Sequence, residues 1–170
     1  MIRDLARKLA AFTEFVDCVL AEAEFCRGTF TSGAQVVKIH SAMAIVRATT
    51  SEAELTVKLI RPRSTITAAV GSRIQSSEKI WRVFTASEVF EFADAVGDAN
   101  KIHKLNPPIV PGLLLMETLL TCADFAACRS IKLKFKNFIT AGEPLTLRNF
   151  GGRFEIYSAG VRKGIISAQL

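Results

Sequence analysis

Between Gly112 and Cys128 the sequence GLLLMETLLTCADFAAC is apolar nearly all the way round a helical repeat. A helix without a polar face loses free energy wherever it meets water, so it has to be wrapped on every side. The rest of the chain offers a wrapping. Short β-branched runs, VVKI, MAIVRA, ELTVKLI and TITAAV, fill Gly28 to Val70 and break at Ser41, at Thr50 to Ala53 and at Pro62, the texture of an antiparallel meander. A further strand, Ile131 to Phe138, turns Ile131, Leu133 and Phe135 inward and Lys132, Lys134 and Lys136 outward. The expected class is α+β, with a long central helix wrapped by a curved antiparallel sheet.

Two other helices are legible. Leu5, Leu9, Phe12, Val16, Val19 and Leu20 recur every three or four residues, which predicts an amphipathic helix from the N-terminus through Leu20. Thr85 and Glu88 form a T-x-x-E capping box opening a helix whose Val89, Phe92, Ala93 and Val96 share one face, and Gly97 is placed to end it. Beneath these elements runs a weak internal repeat. FTSGAQVVKI aligns with FITAGEPLTLR if one residue is inserted; AMAIVRA then aligns with RFEIYSA, and ELTVKL with IISAQL. Two organisations follow. Either residues 1–80 and 81–170 are two copies of one helix-and-sheet unit, the first degenerate, or residues 1–80 are an N-terminal extension of a single unit.

The chemistry-bearing residues cluster between the last two helices. Asp98 follows the helix-ending Gly97 and His103 lies five positions on, close enough for a carboxylate and an imidazole to converge on one water. Asp98 is also a common turn residue, accepting backbone N–H bonds. Gly112 opens the apolar helix, where an unpaired N–H and partial positive charge suit a developing oxyanion. A base, a water-orienting partner and an oxyanion donor point to adding water to, or removing it from, a carbonyl-activated double bond. Asn100, Ile109, Val110 and Leu113 flank these groups and are candidate substrate contacts, Asn100 being better suited to bracing the turn. His40 sits in the strand-like run VVKIHSAMAIV without a GD partner and reads as structural. No serine stands in a G-x-S-x-G setting.

Gly97, Asp98, Asn100, Ile102 and His103, followed by Pro108, Ile109, Val110, Pro111 and Gly112, resemble the GDxNPxH and P-[IV]-x-x-G elements of the MaoC-like, (R)-specific enoyl-CoA hydratases. The stretch IKLKFKNFITAGEPLTL resembles the strand pair of that family. The likeness covers Trp81 to Leu170 and implies a hot dog fold, a double hot dog if the repeat is real. It also implies hydration of 2-enoyl thioesters or dehydration of (R)-3-hydroxyacyl thioesters carried on coenzyme A or an acyl carrier protein. Two positions depart from the pattern. Lys101 stands where the family has proline, and only four residues, KLNP, separate His103 from Pro108. So short a loop cannot fold far over an acyl channel, so the channel wall there is expected from the first half or a partner subunit. The spacing also resembles hot dog dehydratases that pair a histidine with a carboxylate on the central helix, which keeps Glu117 open as an alternative acid. A thioesterase using Glu117 or Asp98, and a non-catalytic acyl-thioester-binding subunit, are the rival readings.

Composition narrows the partners. The net charge of +6 is spread over both halves, and with one Trp and one Tyr there is neither a concentrated basic patch nor a stacking platform, so nucleic-acid binding is not expected. An anionic carrier is compatible with that charge. The lysine stripe of the Ile131 strand reads as a solvated face, or as a contact for coenzyme A phosphates or a carrier protein. Cys18, Cys26, Cys122 and Cys128 form no CxxC pair and read as free thiols, and two histidines leave no zinc set, so neither a metal nor a cofactor is expected. Asp4, Glu14 and Asp17 interrupt the N-terminal apolar residues, and no apolar run reaches the ~20 residues of a membrane span. A cytoplasmic chain is expected, with a homodimer obligatory if only one unit is present and optional if there are two.

Overall fold

The structure, a computed structural model, describes residues 1–62 and 79–170; the TITAAV run lies outside them. Helix α1 (Ile2–Ala10) precedes four strands, β1 (Val19–Arg27), β2 (Gly33–His40), β3 (Met43–Thr49) and β4 (Ala53–Ile60). A short strand β5 (Arg82–Val83) leads into α2 (Ala86–Val96) and α3 (Gly112–Thr121). Strands β6 (Ser130–Phe135), β7 (Pro144–Phe150), β8 (Arg153–Ser158) and β9 (Val161–Gln169) complete the chain. The nine strands of the described residues join one antiparallel sheet in the order β2-β3-β4-β1-β6-β9-β8-β7-β5.

The seam of this sheet is β1 against β6, with Ala23 opposite Leu133 and Phe25 opposite Ile131. Outward from the seam each side has the same order, β4-β3-β2 on one and β9-β8-β7 on the other. Segments aligned by the internal repeat occupy matching places: β2 with β7, β3 with β8, and β4 with β9. One face of the curved sheet carries Phe25, Val46, Leu55, Leu133, Ile156 and Ile166, each at most 1% exposed, into a core shared with the three helices. Its other face is charged. Lys132 pairs with Glu24 at 2.9 Å, and Lys58 and Lys134 approach Glu22 at 3.9 and 3.8 Å. Helices sheathed by a curved antiparallel sheet make this the hot dog fold.

Helix α2 follows its sequence cues closely. Thr85 Oγ1 accepts the Glu88 N–H, Glu88 returns the bond to the Thr85 N–H, and Gly97 closes the helix at φ 73°, a left-handed conformation glycine adopts at little cost. Three boundaries differ from expectation. The N-terminal helix ends at Ala10, and Val19 and Leu20 belong to β1 instead. Glu22 and Glu24 alternate there with the fully buried Ala23 and Phe25, a two-residue period that pairing on both edges converts into a central strand. Helix α3 stops at Thr121 rather than Cys128, because the chain turns at Cys122 to bring Phe125 edge-on to Phe154, ring centroids 4.7 Å apart. Strand β6 likewise ends at Phe135, before Phe138.

Because the seam alone joins the two sides of the sheet, its core residues should govern the whole molecule. Phe25→Ala should cost about 3–5 kcal/mol. Denaturant unfolding followed by circular dichroism should keep a single transition at a lower midpoint; separate transitions for the two sides would contradict a shared core.

Candidate functional site

The loop after α2 is a sequence of backbone-to-side-chain bonds. Asp98 Oδ1 accepts the Asn100 N–H at 3.0 Å, which tightens the turn after Gly97. Asn100 Oδ1 then accepts the Ile102 N–H at 3.3 Å and caps a single 3₁₀ turn, Lys101–Lys104. The Asn100 amide donates to the Cys18 carbonyl at 2.8 Å, tying this loop to the first half of the chain. With its amide and carbonyl so engaged, Asn100 braces the loop while still lining the cavity described below.

His103 stands on that turn, 6% exposed. Its Nδ1 lies 2.7 Å from the Ile109 carbonyl oxygen, and because a carbonyl only accepts, Nδ1 carries the proton. In the neutral ring Nε2 is then a bare acceptor, and it faces Asp98 Oδ2 at 3.3 Å. Two acceptors this close require a donor: a second proton on the ring, or a water giving one hydrogen to each. Burial pushes the Asp98 carboxyl up, but the hydrogen bond and charge of His103, with the Asn100 N–H, outweigh it and hold the group below its ordinary value of 3.8. Asp98 is therefore a carboxylate at neutral pH.

Pro108 to Gly112 form the opposite wall. Val110 N–H donates to the Ile139 carbonyl at 2.8 Å, Ala141 N–H donates to the Pro108 carbonyl at 2.9 Å, and Ile109 bridges Thr140. Gly112 begins α3, where first-turn N–H groups have no partner within the helix. A Cβ at Gly112 would lie 2.6 Å from both Leu20 Cδ2 and Phe135 Cζ, so any larger residue would oblige those side chains of β1 and β6 to shift.

These groups share a cavity of about 400 Å³, a size suited to small-molecule ligands. Its wall includes Asp98, Asn100, His103, Ile109, Val110, Gly112 and Leu113. The wall that KLNP is too short to supply comes from the first half: Leu9, Ala10, Phe12 and Val16 from α1 and the turn after it, with Leu59 and Ile60 of β4. Sequence spacing does not single these residues out, because their convergence depends on the β1–β6 seam. Lys136 lines the cavity beyond the end of β6, whereas Lys132 and Lys134 are held by Glu24 and Glu22 on the outer face. Glu117 is not on the cavity wall; Arg3 of α1 grips it with two nitrogens, at 3.0 and 3.1 Å. His40 is exposed on β2. Cys18 and Cys128 are buried and Cys26 and Cys122 half-buried, all four as free thiols. Among the described residues no group of three or more His, Cys, Asp or Glu is placed to hold a metal ion, and no helix is long and apolar enough to cross a membrane.

A hot dog chain with an acid–imidazole pair at an apolar cavity is what fold and site define. No protein-family model and no curated protein matches the chain in sequence. Solved structures do match it in shape. HtdX from Mycobacterium tuberculosis is 12% identical with a TM-score of 0.65, the match covering 99% of this chain and 86% of that one. A MaoC-like dehydratase from Phytophthora capsici is 14% identical with a TM-score of 0.52, over 91% and 70% of the two chains. The 12:0-ACP thioesterase from Umbellularia californica is 10% identical with a TM-score of 0.50, over 95% and 78%. At these identities the likeness is one of fold.

The Asp98 carboxyl titration checks the electrostatics directly. In the wild type, carboxyl ¹³C NMR should place it below 3.8, so that its contribution to stability is present above that pH and lost as the pH falls through the lowered value. In His103→Ala the burial remains while the larger opposing influence is gone, and the same carboxyl should titrate above 3.8. An unchanged titration would show that the two groups do not interact.

Proposed function

We propose that the chain is a hydro-lyase that adds water to 2-enoyl thioesters and removes it from (R)-3-hydroxyacyl thioesters. The observation that carries this reading is the 3.3 Å approach of Asp98 Oδ2 to His103 Nε2 at a cavity lined mostly by apolar residues. A water donating to both acceptors has its oxygen turned outward, toward C3 of an enoyl chain. As that oxygen attacks C3, His103 Nε2 takes the proton and the π electrons move through C2 to the thioester oxygen, which the Gly112 N–H stabilises. The Asp98 carboxylate offsets the charge of the imidazolium. The proton passes to C2 as the carbonyl re-forms, so one water has been added across the double bond. The reverse sequence is dehydration.

The first half, residues 1–80, serves in this reading as a degenerate hot dog unit that has lost the catalytic insertion and supplies the acyl wall. Residues 81–170 carry the chemistry. Leu9, Ala10 and Phe12 then set the acyl length accepted, while Asn100 acts on the loop and Ile109, Val110 and Leu113 touch the chain of the substrate. Lys136, the one lysine or arginine on the cavity wall among the described residues, suits the phosphates of coenzyme A or of a carrier protein's phosphopantetheine. Four free thiols fit a reducing compartment such as the cytoplasm. The edge strand β2 exposes Val36, Val37 and Ile39, 37%, 47% and 63% accessible, which supports pairing with a second copy as a homodimer.

Crotonyl-CoA separates the activities. Hydration removes the conjugated absorbance without freeing a thiol; hydrolysis releases a thiol that a disulfide reagent detects. Asp98→Asn and His103→Ala should each lower hydration by ~10²–10⁴-fold with the fold intact by circular dichroism. Full hydration by either variant, or thiol release by the wild type in place of hydration, would overturn this function.

A further inference from the structure

A second ion pair, its glutamate buried and its lysine partly buried, stands behind the candidate site and takes no part in the proton transfers. Lys163 of β9 and Glu143, just before β7, have side chains 13% and 7% exposed and meet at 2.5 Å, Nζ to Oε1. Burying two charges costs more desolvation than a surface pair, and an apolar pair of similar volume is often at least as stable. Stability alone is therefore a weak account of this pair, and its bonds point elsewhere. Lys163 Nζ also donates to the Phe138 carbonyl at 2.8 Å. The other carboxylate oxygen of Glu143 accepts the Thr140 N–H at 3.0 Å and faces Thr140 Oγ1 at 3.4 Å. Lysine and glutamate thus staple both ends of the turn from Phe138 to Glu143.

That turn is the template for Ile109. Two backbone bonds bracket it, the Ile139 carbonyl accepting from the Val110 N–H and the Ala141 N–H donating to the Pro108 carbonyl, and Thr140 is its bridge partner. The Ile109 carbonyl in turn accepts the His103 Nδ1 proton. From this continuous set of contacts we infer that Glu143 and Lys163 are positioning residues: they hold the Ile109 carbonyl where it fixes the tautomer and the tilt of His103, and so leave Nε2 bare opposite Asp98. If the staple is released, the turn relaxes, the carbonyl moves, and the ring samples the tautomer whose proton lies on Nε2. In that form Nε2 donates to Asp98 and can no longer accept a proton from water.

The kinetic arm of the test rests on the hydro-lyase reading; the spectroscopic arm does not. The variants are Glu143→Gln, which keeps an acceptor for the Thr140 N–H, and Glu143→Gln/Lys163→Met, which removes both charges and leaves neither buried alone. With ¹⁵N-labelled histidine, the wild type should show His103 as one tautomer protonated at Nδ1. The folded double variant should show a mixture of the two, with Glu143→Gln displaced in the same direction. Hydration of crotonyl-CoA should lose between ten- and ~10²-fold in kcat, with KM changed less than about twofold, since acyl contacts are untouched. Glu143→Asp, which keeps the charge, should recover part of that loss. A single Nδ1-protonated tautomer in the folded variants, or a drop in thermal stability with kcat unchanged, would reduce the pair to a structural role and overturn the inference. If the wild type has no hydratase activity, the function proposed above fails, yet the tautomer of His103 still decides this inference.

Discussion

Everything at the candidate site depends on how closely the start of α3 meets the sheet seam. Gly112 is packed between Leu20 of β1 and Phe135 of β6, so closely that a Cβ there would oblige those side chains to shift. That contact lets an apolar helix enter the sheath at the line where the two sides of the sheet join. It also leaves the helix's first N–H groups, which intrahelical bonding cannot satisfy, at the cavity that holds Asp98 and His103. A side chain at this point would press on Leu20 and Phe135, which also line the cavity, so packing at the seam and the shape of the site are linked at Gly112.

The electrostatics follow from the surroundings of the pair. Most of the cavity wall is hydrocarbon and His103 is buried, while the Asp98 side chain stays 31% exposed, so solvent screens the pair only in part. Burial alone pushes the Asp98 carboxyl up, and the neighbouring ring pulls it back down. The imidazole is in turn held by a backbone carbonyl rather than by a second side chain, so its orientation depends on the path of the main chain from Pro108 to Val110. This explains why contacts outside the cavity, at the residue before β7 and on β9, bear on a ring they do not touch.

How much of this was legible in the sequence depends on the range of each interaction. The capping box at Thr85 and Glu88, the glycine stop at 97 and the alternation from Ile131 to Phe135 are local patterns, and the structure follows them. Bringing Asp98 to His103 needs only a turn and one 3₁₀ step, and a five-residue spacing can express that. Strand β1 was hidden because Ala and Glu favour helix when isolated, and only pairing with both β4 and β6 makes VLAEAEFCR a central strand. The length of α3 was overread because apolar content continues past Thr121 while the chain turns to seat Phe125. Bonds such as Asn100 to Cys18, or Lys163 to Glu143, join residues far apart along the chain, and no spacing rule anticipates them. Glu117 shows the converse: a carboxylate in a suggestive place on the apolar helix is satisfied by Arg3 of the first helix.

In the proposed function, acyl thioesters bind with the reacting carbons at Asp98 and His103 and with the tail against the first half of the chain. A crystal structure of Asp98→Asn with a medium-chain trans-2-enoyl-CoA tests it most directly. The thioester oxygen is expected within hydrogen-bonding distance of the Gly112 N–H, with C3 facing His103 Nε2 and the acyl tail between α1 and β4. An acyl chain lodged elsewhere, or a thioester carbonyl turned away from Gly112, would contradict it.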